Sequence, residues 1–131
     1  SITVVDDSYN ANPDSVRAAI DVLADLPGPH LLVLGDMGEV GDQGPAFHAE
    51  ALQYALAKNI QKVLVTGTTL AQAAMKFESI EIHAEMPDLQ AAVLAALPGV
   101  ASVLVKGSRF MKMERVLQVL VNDDKAVFDA A

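Results

Sequence analysis

The sequence predicts a single doubly wound α/β domain, in which helices cover both faces of a mainly parallel sheet to give three layers. Short apolar runs alternate with stretches of helical periodicity five times along the 131 residues. Hydrophobic residues make up 52% of the chain and aromatic residues only 5%, so aliphatic side chains must fill the core, as is usual in covered parallel sheets. Strands that alternate with helices pair in parallel through right-handed crossovers. The expected sheet is therefore Rossmann-like or flavodoxin-like.

Short apolar runs mark the five predicted strands. Most of them are nearly continuous in apolar residues, as expected for strands that are buried on both faces. The fourth run alternates apolar and polar residues and is expected at an edge of the sheet. The residues after Val121 are expected to form a solvated end. The predicted strands are Ile2–Val5, Leu31–Leu34, Lys62–Val65, Ile80–His83 and Ser102–Val105.

Five helical stretches lie between and after these strands. The first begins at Pro13, with Asn12 as its expected N-cap. Gly44-Pro45 is expected to start the second, and the last runs from about Phe110 with Ser108 as a candidate cap. The apolar positions that indicate the helices are Val16/Ala19/Ile20/Leu23, Phe47/Ala51/Tyr54/Ala55, Leu70–Phe77, Leu89/Ala92/Val93/Ala96 and Met113/Val116/Leu117/Leu120.

Composition excludes several classes of function. The formal net charge is −8, and no basic cluster is dense enough to displace phosphate counterions, so no nucleic-acid partner is expected. The chain has no cysteine, which excludes disulfides, thiolate metal sites and cysteine nucleophiles. No apolar run approaches the roughly 20 residues that span a bilayer, so no membrane insertion is expected. The strand-like run directly after Ser1 is expected of a fragment of a longer protein, and a soluble cytoplasmic fragment is the default expectation.

Polar or glycine-rich loops follow four of the predicted strands. In open parallel sheets ligands bind beyond the carboxyl ends of the strands, and the loops at the opposite ends have the composition of plain turns. We therefore expect a ligand site with a wall that includes Asp7, Gly35 and Lys106. The four loops are 6–13, 35–41, 66–69 and 106–109.

The first loop offers acidic and amide groups. Asp7 can accept hydrogen bonds from ribose hydroxyls, and Asn10 and Asn12 can bind a base or a phosphate. An N-cap role also explains Asn12 without any ligand, whereas Tyr9 and Asn10 are not needed to start the helix.

The second loop has the spacing Gly-x-x-Gly-x-x-Gly from Gly35 and carries the carboxylates of Asp36 and Glu39. This spacing is not that of a dinucleotide-binding loop, and the carboxylates would repel a pyrophosphate. Carboxylates at this position favour an ammonium group or a metal ion.

The last loop pairs two cations at a predicted helix start. Lys106 and Arg109 can form a local anion site there, assisted by the helix dipole and the free N–H groups. The alternative is that Lys106 neutralises Asp6, Asp7 or Asp36 on neighbouring strands, and both interpretations can hold.

His48 is a lone histidine on the second predicted helix. On pattern alone, such a histidine is more often a packed or exposed side chain than a catalytic one. The chain lacks a Gly-x-x-x-x-Gly-Lys-[Ser/Thr] phosphate loop, so ATP chemistry by this chain alone is not expected.

A phospho-receiver domain shares the acids Asp6-Asp7, but its acceptor Asp follows strand 3, where this chain has Thr66-Gly67. The receiver interpretation fails on that order, and a non-catalytic Rossmann-like binding module remains an alternative.

Four motifs in order resemble the C-terminal domain of the Mur ligases. The resemblance spans about residues 2–121, and the residues after Asp7 are most similar to the member that adds D-Ala-D-Ala to UDP-N-acetylmuramoyl-tripeptide in peptidoglycan synthesis. The motifs are Asp6–Ser15, Leu34–Glu39, His48–Glu50 and Val105–Arg109 continued through Met113-Glu114.

The resemblance implies a three-domain, cytoplasmic bacterial enzyme of which residues 1–131 are one domain. An N-terminal domain would bind the UDP-linked tripeptide, and a central domain would hold the ATP phosphate loop and Mg²⁺, with no metal site in this domain. The implied reaction is an ATP-driven amide ligation, in which the tripeptide carboxylate is phosphorylated and the amine of D-Ala-D-Ala attacks the acyl phosphate. The isolated domain is expected to be inactive.

The resemblance also implies roles for residues. His48 belongs to the matched pattern and becomes a candidate catalytic residue. The nucleotide side is assigned to Asp7, which would hold the ribose, and to Tyr9, Asn10 and Asn12. Lys106, Ser108 and Arg109 would bind the carboxylate of the dipeptide. Asp36 and Glu39 would bind its ammonium group or shape the second loop.

Overall fold

A computed structural model describes residues 2–38, 40–121 and 126–130. In these ranges the chain forms a six-stranded sheet and five α-helices. The strands are β1 Ile2–Asp7, β2 His30–Gly35, β3 Lys62–Thr66, β4 Ile80–Ile82, β5 Ser102–Lys106 and β6 Ala126–Ala130, and the helices are α1 Pro13–Asp25, α2 Gly44–Ala57, α3 Thr68–Ala74, α4 Met86–Ala96 and α5 Glu114–Val121.

The sheet is parallel throughout, with the strand order β4-β3-β2-β5-β1-β6. The connections from β1 to β4 run across the sheet in one direction, and those from β4 to β6 run in the other. Because such crossovers are right-handed, α1, α2 and α3 cover one face and α4 and α5 cover the opposite face. The predicted doubly wound, three-layer α/β class is confirmed.

Two apolar clusters fill the layers on either side of the sheet. On β2, Leu32 and Leu34 pack in the cluster with α1, α2 and α3. Leu31 and Val33 alternate with them and pack in the cluster with α4 and α5. Burial on both faces is the reason that the central strands are continuous apolar runs rather than alternating ones.

The strand predictions hold, with one strand missed. All five predicted strands are present, and the alternating run forms β4, which lies at an edge of the sheet as expected. The sixth strand, β6, is not predicted by the pattern and pairs in parallel with β1. The expected solvated end, residues 122–125, lies outside the described residues.

The last helix begins later than predicted. A single 3-10 turn covers Arg109–Met111, and Lys112 adopts a left-handed conformation with φ of 52°. Because a left-handed residue interrupts helical hydrogen bonding, α5 starts only at Glu114. Ser108 precedes the 3-10 turn, but its side chain makes no capping hydrogen bond. The α-helix predicted from about Phe110, with Ser108 as its cap, therefore starts too early, and the premise that an α-helix dipole assists an anion there is wrong.

The strand order places β5 at a topological switch point. The chain leaves β5 towards one face of the sheet, whereas it leaves the flanking strands β1 and β2 towards the other face. Ligands bind at such points in open α/β sheets. The strand order also differs from the 2-1-3-4-5 arrangement of flavodoxin-like sheets, which include receiver domains.

None of the described helices is long and apolar enough to cross a membrane.

Candidate functional site

Three neighbouring strands end together at the switch point. Asp7 on β1 is in register with Lys106 on β5, and Lys106 is in register with Leu34 on β2, directly before Gly35. The structure therefore brings together Asp7, Gly35 and Lys106, which the sequence places in three separate loops.

Lys106 is buried beneath this edge, with only 3% of its side chain exposed. Its ammonium donates hydrogen bonds to Asp7 Oδ2 at 3.0 Å and to the Asn10 carbonyl at 2.8 Å. The predicted neutralisation of an acid on a neighbouring strand is thus observed, and the acid is Asp7. Asp6 instead accepts hydrogen bonds from the N–H of Ser8 at 3.1 Å and from its hydroxyl at 2.7 Å.

A cleft of about 610 Å³, here called the first cleft, opens at the carboxyl ends of these strands. It is formed by the loops after β1, β2 and β5, and it gathers five of the predicted site residues. Its lining residues are Tyr9, Asn10, Ala11, Asn12, Gly38, Ser108, Arg109 and Phe110.

Exposed aromatic rings and a cation form the rim of the first cleft. The Arg109 guanidinium carbon lies 4.3 Å from the centroid of the Tyr9 ring, which is a cation–π contact. Tyr9 is 70% exposed and Phe110 is 65% exposed. Large aromatic surfaces left in water beside a planar cation are suited to stacking against a flat ligand.

Ser108 supplies a hydroxyl to the same cleft. The residue is only 3% exposed, and its Oγ has no hydrogen-bond partner among the described residues. Its backbone N–H donates to the carbonyl of Asp36 at 3.0 Å. A buried hydroxyl without a partner is uncommon, so Ser108, which lines the first cleft, is a candidate contact for a ligand.

The two asparagines of the first loop also have structural roles. Asn12 Oδ1 accepts from the N–H of Ser15 at 2.8 Å, and Ser15 Oγ accepts from the N–H of Asn12 at 3.0 Å, which is a capping box. The predicted N-cap is confirmed. Asn10 Oδ1 accepts from the N–H of Ala11 at 2.9 Å. Each amide group therefore keeps its NH₂ for a ligand while its oxygen orders the loop.

Asp36 is 6% exposed and holds the start of α3. Its carboxylate accepts the N–H groups of Thr69 at 3.2 Å and Leu70 at 2.8 Å, so it caps a helix that lies more than 30 residues away in the chain. Of the two predicted roles for Asp36, this contact supports shaping of the loop. Glu39, predicted beside it, lies outside the described residues.

His48 is 1% exposed, and both of its ring nitrogens are engaged. Nε2 accepts from the N–H of Met37 at 2.9 Å, and Nδ1 lies 2.6 Å from the carbonyl of Gly44. Because a backbone N–H can only donate, the ring is neutral and Nδ1 carries the proton. Asp36 Oδ1, 3.9 Å from Nε2, therefore forms no ion pair with it. This geometry makes His48 an anchor between the second loop and α2.

A second cleft, of about 540 Å³, lies on the other side of the segment that follows β5, and sequence reasoning missed it. Its lining residues are Thr66, Gly67, Thr68, Ala71, His83, Ala84, Glu85, Met86, Pro87, Met111 and Arg115. The Arg115 guanidinium already donates to the carbonyls of Met111 and Lys112. Only the Thr66–Thr69 loop signalled this cleft in the sequence, because its other walls meet through the fold.

Within the described residues, no group of three or more His, Asp or Glu side chains is arranged to hold a metal ion. The described acids at the edge of the first cleft are each bound to protein groups. Asp6 accepts from Ser8, Asp7 from Lys106, and Asp36 from the start of α3.

The chain is similar to known ligases over most of its length. A family model described as Mur ligase, glutamate ligase domain, matches residues 1–109. The UDP-N-acetylmuramoyl-tripeptide–D-alanyl-D-alanine ligase of Escherichia coli (strain K12) is 39% identical over 119 residues, which are 89% of this chain and 26% of that protein.

Solved structures agree with the sequence comparison. A crystal structure of MurF from Acinetobacter baumannii superposes with a TM-score of 0.81 at 27% identity and covers 88% of this chain and 26% of that one. The MurF ligase of Thermotoga maritima in complex with ADP gives a TM-score of 0.71 at 26% identity and covers 86% of this chain and 26% of that one. The chain thus spans about a quarter of the length of these relatives. On this sequence match and this fold, the chain belongs to the Mur ligase family.

Proposed function

We propose that residues 1–131 are the C-terminal domain of a three-domain, cytoplasmic, ATP-dependent ligase that joins D-Ala-D-Ala to UDP-N-acetylmuramoyl-tripeptide. The observation that carries this proposal is the first cleft. It lies at the switch point of a fold that is shared with UDP-N-acetylmuramoyl-tripeptide–D-alanyl-D-alanine ligases. A relative with the same fold is described in complex with ADP, which supports a nucleotide as one ligand.

On the nucleotide side, Asp7 would hold the ribose. Lys106 binds its Oδ2, and 32% of the Asp7 side chain remains exposed, so Oδ1 can accept a ribose hydroxyl. The Tyr9 ring, supported by Arg109, offers a surface for the base. The amide NH₂ groups of Asn10 and Asn12 add donors from the same loop.

On the dipeptide side, Ser108 and Arg109 are the proposed contacts for the carboxylate, since both line the first cleft. Arg109 is exposed, and its guanidinium can form charge-assisted hydrogen bonds with a carboxylate. Glu39 remains a proposed partner for the ammonium, whereas Asp36 is committed to α3.

The remaining chemistry would belong to residues outside this chain. The chain has no phosphate loop, and the acids near the first cleft that the structure describes already have protein partners. We therefore assign the ATP phosphates and Mg²⁺ to a central domain and the UDP-linked tripeptide to an N-terminal domain. This domain would contribute positioning, because holding the dipeptide amine near an acyl phosphate makes the reaction effectively intramolecular.

The test uses the full-length protein that contains this chain, with release of ADP and phosphate as the readout. We expect release that depends on both UDP-N-acetylmuramoyl-tripeptide and D-Ala-D-Ala, with the amide product identified by mass spectrometry. The 131-residue chain should fold alone and show no ATP turnover. Nucleotide binding by the full-length protein without any ligation would favour the non-catalytic binding module instead.

A further inference from the structure

The Lys106 ammonium connects both ends of one short turn. Its acceptors are the Asp7 carboxylate, at the last position of β1, and the Asn10 carbonyl three residues later. Tyr9 lies between these two acceptors and contacts Arg109 through its ring. A single buried cation therefore joins the two ends of the turn formed by residues 7–10.

The same loop is held from its other side. The carbonyl of Ala11, the next residue, accepts the N–H of Gly38 at 3.3 Å, and Gly38 belongs to the loop after β2. The first loop thus spans two contacts, one with β5 through Lys106 and one with the loop after β2. Its cleft-facing groups depend on both.

We infer that Lys106 is a positioning residue, which fixes the 7–10 turn against the first cleft and does not bind a ligand itself. This inference rests on the proposed function, in which that turn forms the nucleotide side, and it differs from the expectation that Lys106 binds the dipeptide carboxylate. The Lys106 side chain is only 3% exposed, whereas the Asp7 side chain that it binds is 32% exposed. The Lys106 ammonium already donates two of its three N–H groups to Asp7 and to the Asn10 carbonyl.

Removal of the ammonium should open the turn. Without it, the Asp7 carboxylate, whose side chain is 32% exposed, and the Asn10 carbonyl, both electron-rich, would face each other without their shared donor. The loss of two charge-assisted hydrogen bonds and the repulsion between the two oxygens favour their separation. Arg109, in contrast, is exposed at the rim and remains the cation that a ligand can contact.

A first experiment examines the ligand-free 131-residue chain by amide NMR. In Lys106→Met, we expect shifted amide resonances concentrated at residues 7–12 and at Gly38. In the double variant Asp7→Asn/Lys106→Met, these resonances should return partly to their positions in the unmodified chain, because the unpaired carboxylate is gone. Lys76→Met, which removes an exposed lysine, is the matched control and should leave these resonances unchanged. Shifts confined to β5 would overturn the inference.

A second experiment measures kinetics of the full-length protein. Lys106→Met should raise the KM for ATP roughly tenfold or more while the KM for D-Ala-D-Ala stays within about twofold. Lys106→Arg should recover part of the affinity for ATP, because a guanidinium can donate to both acceptors. A raised KM for D-Ala-D-Ala with an unchanged KM for ATP would show direct ligand binding and overturn the inference.

Asp7→Asn tests the same point if Lys106→Met fails to fold. This variant removes the negative charge that neutralises the ammonium, although the amide oxygen can still accept its hydrogen bond, and we expect an unchanged KM for D-Ala-D-Ala. A KM lowered roughly tenfold would mean that the ammonium, no longer neutralised by a carboxylate, binds the dipeptide carboxylate. Absence of ligation by the unmodified full-length protein would refute the proposed function, whereas the NMR result on the chain would still decide the position of the turn.

Discussion

At the scale of single residues, Gly67 leaves the space that the Asp36 carboxylate occupies. Gly67 has φ of 109°, a conformation that L side chains rarely adopt. A Cβ at this position would overlap the Asp36 carboxylate, which binds the first N–H groups of α3. The glycine is thus required both by its backbone and by the acid beside it.

Gly67→Ala should lower the free energy of unfolding by about 2–4 kcal/mol, since backbone strain and displacement of the Asp36 carboxylate add together. Urea titration of the 131-residue chain measures the change. Gly99→Ala is the matched control, because a Cβ added there would meet no described atom within 4 Å and its φ is not positive; it should change stability by less than about 1 kcal/mol. Equal effects of the two substitutions would contradict this account.

At the scale of elements, two helices begin by different means. α1 is capped by its own neighbour, Asn12, through a capping box with Ser15. α3 has no side-chain cap at Gly67 and receives the Asp36 carboxylate from the loop after β2. The first cap is visible in the sequence because the motif is local, whereas the second depends on β2 and β3 lying side by side.

Asn12→Ala should destabilise the chain by about 1 kcal/mol, the usual cost of losing an N-cap. Asn12→Ser keeps a capping oxygen and should retain most of that stability. Comparison of the Ala and Ser variants therefore distinguishes the capping role of Asn12 from a role in ligand binding. If Asn12→Ser also raises the KM for ATP in the full-length protein, the amide contributes to nucleotide binding. Equal losses of stability in the Ala and Ser variants would argue against the capping role.

The edge pair β3–β4 carries an ion pair that responds to pH. Hydrogen bonding to Lys62 on β3 holds the pKa of Glu81 on β4 below its ordinary value of 4.5. Because the folded pKa is the lower one, the pair stabilises the fold above the unfolded pKa, and this contribution is lost as the pH falls through the folded pKa.

Glu81→Gln should therefore reduce stability at neutral pH by less than about 1 kcal/mol, since the pair is partly exposed and screened. The difference from the unmodified chain should shrink to nothing as the pH is lowered below the folded pKa. Urea titrations over an acidic pH series measure it, with Glu78→Gln, at an exposed position, as control. A difference that grows on acidification would reverse the assigned sign.

At the scale of the whole molecule, both apolar clusters are built on the same strands. β2, β3 and β5 contribute alternate residues to the cluster with α1, α2 and α3 and to the cluster with α4 and α5. Neither layer can lose its packing without exposing the sheet that supports the other. The domain should therefore unfold in one step.

Leu52→Ala in the first cluster should cost about 2–5 kcal/mol, and Val93→Ala in the second should also be destabilising. In both variants, unfolding followed by tyrosine fluorescence and by far-UV circular dichroism should give coincident curves. A shift confined to one probe, or two separate transitions, would show that the layers unfold independently.

The sequence was sufficient for features that depend on neighbours along the chain. Four nearly continuous apolar runs and one alternating run predicted five strands, and helical periodicity with Asn12-Pro13 predicted α1. The rule that ligands bind beyond carboxyl ends of parallel strands placed Tyr9, Asn10 and Ser108 at one edge, where they line the first cleft. Strand β6 was missed, and so was the left-handed Lys112 that delays α5.

The partners of the buried polar groups depend instead on the order of strands across the sheet. Lys106 and Asp7 are 99 residues apart in the chain, and they pair because β5 lies between β1 and β2. Asp36 and His48 were candidates for ligand chemistry in the sequence, and the fold gives both of them protein partners. Periodicity and capping are local and can be read from one segment, but a buried charge takes whichever partner the neighbouring strand brings to it.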